Sequence, residues 1–176
     1  MLIKKMMLLG AFSAALLFTA CDKDDDGDLI NELNDTDENF AANAARSNTA
    51  EIQISQLALD NTTNDTVREF AQMMIDQHQL AQDELDSIAN SVDFDLPHDI
   101  SQPNVDLKNR LAALNGYSFD TAFMNSQVQL HVAAANLFQN HSTSGTHPGL
   151  KNYAAKYLPI VQQHRTMADS VRALIE

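Results

Sequence analysis

Several protein classes are closed to this chain by what it has little of. It carries one cysteine, no tryptophan, five glycines and four prolines in 176 residues. A lone thiol cannot build a disulfide framework or a thiolate zinc site within the chain. Glycine and proline are too sparse for a strand-and-turn architecture, and Val, Ile and Thr never gather into the alternating runs of half-buried strands. Basic residues are also scarce, 11 Lys and Arg against 24 Asp and Glu, for a net charge of −13. No basic stripe exists to meet phosphates, so nucleic acid is not an expected partner. There is no Gly-rich phosphate loop, no nucleophile elbow and no cysteine nucleophile, and the chain reads more as a binding protein than an enzyme.

The single cysteine has a position that explains it. Lys4 and Lys5 precede an apolar run from Met6 to Phe18, and Thr19-Ala20 stand directly before Cys21. A basic start, an apolar stretch too short to span a bilayer and small residues before a cut describe a secretory signal. With cysteine at the cut the segment resembles a bacterial lipobox, Phe18 standing where leucine is usual. Residues 1–20 are therefore expected as a lipoprotein signal peptide. Cys21 is the expected lipidation site, anchoring the chain to the membrane as an outer-membrane lipoprotein on the periplasmic or cell-surface side. Residues 21–36 then form an acidic tether. Nine carboxylates against Lys23 crowd residues 22–38, a self-repelling stretch unable to bury apolar surface. It serves either as a spacer or as a surface-export tag, which its Lys-plus-acidic pattern resembles.

Residues 37–176 read as one all-α domain, a ferritin-like four-helix bundle. The first helix is expected from about Asp37 to Asp60, capped by Thr36. The second starts at the capping box Thr66-x-x-Glu69 and continues to about Asn90, with apolar positions at a 3.6-residue period. The third runs from Ser118 to about His141. The fourth opens with Pro148 and contains Pro159, where a kink is expected. Residues 91–117 are far longer than the connection antiparallel neighbours need. Such a length suits a crossover along the bundle, which makes the second and third helices parallel. Val105 to Leu114 supplies a short amphipathic piece within it.

Each helix offers one polar, ligand-capable residue to the interior. His78 lies in the stripe of Met74, Ala71, Ala81 and Leu85, and His164 lies between Val161 and Ala168. His131 shares a face with Met124, Gln127, Ala134 and Phe138, and Glu51 with Phe40, Ala44, Ser47 and Ala58. With the crossover topology the four sit within about 6 Å of one height at 1.5 Å per residue. A simple up-down bundle leaves His131 and His164 about 9 Å apart in height. Four buried polar groups at one level must satisfy each other, water or a metal. Two readings follow. In one, Glu51 accepts hydrogen bonds from the imidazoles and the cluster is a structural network inside an envelope scaffold that binds an unknown protein partner. In the other, Glu51, His78, His131 and His164 hold one divalent ion such as Zn, Fe, Cu or Mn. Two carboxylate-bridged metals are excluded, because Ile75, Val128 and Val161 stand where Glu-x-x-His needs glutamate. His98, His141 and His147 are expected at the surface.

The order and spacing of several short motifs also resemble a known family. These are Asn48-Thr49-Ala50-Glu51-Ile52, the run from Val67 to His78, Leu96-Pro97, Gly116-Tyr117-Ser118-Phe119-Asp120, the His131 helix, and Leu158-Pro159 followed by His164. Over about residues 36–172 they resemble the domain-of-unknown-function family four-one-four-two, predicted outer-membrane proteins distantly similar to ferritin. The resemblance implies a ferritin-like bundle and places Glu51, His78, Asp120, His131 and His164 at motif positions. It brings no established activity. Gln77 stands where members often have Asp.

Overall fold

A computed structural model describes residues 32–175; the expected signal peptide, the expected lipidation site Cys21 and most of the expected acidic tether lie outside the described residues. Among the described residues there are five helices and no strand: α1 Asp35–Asn61, α2 Asp65–Ser91, α3 Gln102–Ala112, α4 Gly116–Ser144 and α5 Pro148–Ile175. The four long helices form the bundle, and α3 lies in the crossover.

Local chemistry sets the helix ends, with differences from expectation. Asn34 rather than Thr36 caps α1, its side chain accepting from the amides of Thr36 and Asp37. Asn64 does the same for Thr66 and Val67 at the start of α2. The Asn carbonyl two residues earlier takes the free amides, so each helix begins sooner than the threonine signals indicate. The third expected helix, α4, begins at Gly116 instead of after Ser118, where a φ of 55° suits glycine. Helix α5 continues through Pro159.

The crossover topology is as expected. Asp37 at the start of α1 meets Thr146 beyond the end of α4, and Glu51 meets Gln127, so α1 and α4 are antiparallel. Along α2 and α4 the pairs advance together: Phe70 with Phe123, then His78 with His131. Those two helices are therefore parallel. The crossover packs down through buried Leu96 and Leu111, and Lys108 donates to the Gln53 side chain on α1 at 2.9 Å.

The core has two apolar halves. One gathers Ile54, Phe70, Met74, Phe123 and Met124; the other gathers Phe40, Leu85, Phe138, Leu150 and Tyr153. Alanines at 41, 44, 45, 50 and 58 let α1 approach its neighbours closely. Between the halves all four helices contribute polar side chains. That layer contains the expected residues.

Candidate metal centre

The bundle brings three imidazoles face to face. Ring centroids lie 5.8 Å apart for His78 and His131, 5.4 Å for His78 and His164, and 5.2 Å for His131 and His164. All three are buried, and one ring nitrogen from each lies within 4.8 Å of the others. The 3.6-residue period places each ring on its helix's inner stripe, and the parallel pairing of α2 with α4 brings them to one height.

Their outer nitrogens are all occupied. His78 Nδ1 is 3.0 Å from Asn48 Oδ1, His131 Nδ1 is 2.8 Å from the Gln127 carbonyl, and His164 Nε2 is 2.7 Å from Gln77 Oε1. An amide oxygen only accepts, so the ring nitrogen facing it carries the proton. The opposite nitrogens are then lone pairs: His78 Nε2, His131 Nε2 and His164 Nδ1. These three atoms are buried without a hydrogen-bond partner.

Residues on α1 and α2 enforce the tautomer of His78. Gln82 donates through Nε2 to Asp86 at 2.8 Å, which turns its Oε1 toward Asn48. Asn48 Nδ2 donates to that oxygen at 3.3 Å and to the Tyr153 hydroxyl at 3.2 Å. The Asn48 carbonyl is thus left for His78. Sequence reasoning missed Asn48, Gln77 and Gln82 as partners. Gln82 stands one helical turn from His78 on the same face, which is the signal that could have found it.

Electrostatics favour the neutral rings. Burial pushes the His78 imidazolium well below its ordinary range, reinforced by His131 and His164. Burial, then His131, brings His164 down to about 4. Both remain neutral, ligand-competent imidazoles at pH 7.

Glu51 is placed differently from the trio. Its Oε1 is 3.8 Å from His131 Nδ1, the nitrogen opposite the lone pair, and its Oε2 accepts from Gln127 Nε2 at 2.9 Å. Burial raises its carboxyl above the usual range, against the opposing pull of His131 and Gln127. The three histidines form the group able to hold an ion, and Glu51 backs one of them. Asp120 is buried near the start of α4.

Among the remaining histidines, His98 is exposed, but His141 and His147 are buried, contrary to expectation. His141 stacks on Phe40 with centroids 3.9 Å apart and sits 3.3 Å from Asp37. His147 Nδ1 accepts from the Leu150 amide at the start of α5. Asp37 also accepts from the Thr146 hydroxyl and from the amides of Thr146 and His147, at 3.1 and 3.2 Å. Burial opposes its ionisation, yet these donors outweigh that cost and hold its carboxyl below the usual range. A clasp results, tying the start of α1 to the α4–α5 turn.

The fold is shared with a solved structure, "putative secreted protein DUF305 from Streptomyces coelicolor". The identity is 14%, with a TM-score of 0.69, covering 80% of this chain and 92% of that one. None of the curated proteins matches the chain. The family model named Domain of unknown function (DUF4142) matches residues 30–171, a span containing both the histidine trio and the crossover, and the chain belongs to that family.

Proposed function

We propose that this protein is a lipid-anchored envelope protein that binds one divalent transition metal through His78, His131 and His164. The observation that carries the reading is the convergence of three buried, unpartnered imidazole lone pairs. Three acceptors cannot satisfy one another. One water brings only two hydrogens, so it leaves a lone pair stranded at a cost of about 1–3 kcal/mol. A cation takes all three. Imidazole donors suit zinc, copper and iron, whereas manganese prefers carboxylate oxygens, and Glu51 lies behind His131. Glu51 supplies a nearby negative charge once a cation binds. An ion 2.0–2.1 Å from each nitrogen needs them about 3.4 Å apart, so loading draws the rings inward by about an ångström.

Elemental analysis of protein purified without chelator tests the reading. One ion per chain, or uptake of one after soaking in zinc, copper or iron, is expected. A ratio near zero after every soak supports the metal-free scaffold instead. The anchor rests on Cys21 and its flanking residues; mass spectrometry should find a diacylglyceryl adduct that Cys21→Ser abolishes.

A further inference from the structure

We propose that the ion held by the three histidines keeps one coordination position open to a small exogenous ligand, which enters through the seam between α2 and α5. The ligand is water or a small monodentate anion. This rests on the metal reading above and adds to it an open face and a route.

The open position follows from the donor count. A tetrahedral ion takes four ligands, and sites with three protein ligands reserve the fourth for an outside molecule. Only three nitrogens converge among the described residues, and Glu51 approaches His131 from its far side. Next to His78 and His164 lies a cavity walled by Ala81, Ala134, Phe138 and Val161. Its volume of about 10 Å³ is enough for about one water. The small alanines leave that space, and the oxygen-bearing side chains of Asn48, Gln77 and Tyr157 that also line it are committed to His78, His164 and Glu84.

The route follows from shared walls. Outside the cavity a groove of about 520 Å³ runs between α2 and α5, bordered by Leu80, Glu84 and Lys156. Gln77, Tyr157 and Ile160 line both spaces, so these three side chains form the partition. Tyr157 is pinned by its hydroxyl's bond to Glu84 at 2.9 Å. Gln77 is tied to His164. Ile160 is half-buried and held by packing alone, which makes it the member of the partition with least to lose by moving.

The test uses cobalt(II) and azide. Cobalt loading should give one ion per chain with a visible absorption band, and azide should shift that band. Ile160→Trp plugs the seam without touching a ligand, so cobalt uptake should persist while azide association slows at least tenfold. Ile160→Ala should speed it, and serves if the tryptophan variant does not fold. Cobalt binding with no azide response means the ion is closed off, which overturns this inference and leaves the metal reading intact. An azide response indifferent to both Ile160 variants overturns the route. Failure to bind cobalt, zinc, copper or iron overturns both.

Discussion

Replacing His131 with leucine separates a metal site from a structural network, because the two predict opposite results with and without metal. In metal-free protein the change removes one hydrogen bond, Nδ1 to the Gln127 carbonyl at 2.8 Å, worth about 0.5–1.5 kcal/mol. It also removes a stranded lone pair, Nε2, whose burial costs about 1–3 kcal/mol. These offset, so metal-free stability should change by no more than about 1 kcal/mol. For a domain of about 140 residues that is roughly 3 °C in Tm, from an unfolding entropy of about 2.1 cal/mol/K per residue. Metal at 100 times its Kd should stabilise the unaltered protein by about 2.7 kcal/mol, or about 9 °C. If losing one of three ligands weakens binding about 100-fold, the same metal concentration yields only about 0.4 kcal/mol, near 1 °C. Differential scanning calorimetry with and without metal reads all four values. A full metal shift retained by His131→Leu would refute the assignment. A metal-free loss above about 3 kcal/mol would show that the ring is a structural support.

Lowering pH should destabilise the metal-free protein below pH 6.5. His78, His141 and His164 are all held below their ordinary value, chiefly by burial, so the unfolded chain binds more protons as pH falls. Each contributes up to about 1.4 kcal/mol per pH unit between 6.5 and its own folded value, which for His164 is about 4. Glu51 acts in the opposite sense, because its raised carboxyl stabilises the fold at low pH and loses that contribution as pH rises; urea melts from pH 4.5 to 7.5 should still show stability rising with pH. Asn48→Leu strips His78 of its tautomer-setting partner and should weaken metal binding about 10–100-fold, measured by competition with a chromophoric chelator. Asp37→Ala leaves the buried His147 amide and the partly buried Thr146 amide without their acceptor, which should cost about 1–3 kcal/mol and selectively raise their hydrogen-exchange rates.

The fold was legible because its signals are long. Helical periodicity needs only the apolar spacing of α2 and α5, and a 27-residue connection between two helices has few uses besides a crossover. The histidine trio was legible for the same reason, since a backbone stripe fixes which face a residue occupies. The direction of a side chain on that face is set by torsions and partners, which spacing does not encode. Glu51 shares the inner face yet turns to the back of His131. The tautomer-setting contact between Asn48 and His78 joins two helices, so no local pattern announces it. Asp37 was expected as the start of the first helix, while the partners that hold it lie about 110 positions away. His141 follows buried Phe138 by three residues on the same face, a cue that the apolar stripe of α4 continues to its end.

X-ray absorption spectroscopy of zinc-loaded protein tests the central claim most directly. The account predicts one zinc per chain with nitrogen neighbours at about 2.0–2.1 Å, and outer-shell scattering that fits three imidazoles. Each of His78→Ala, His131→Ala and His164→Ala should remove one imidazole from that fit or abolish loading. A coordination shell of oxygens without imidazole scattering, or no stoichiometric zinc at all, would contradict it.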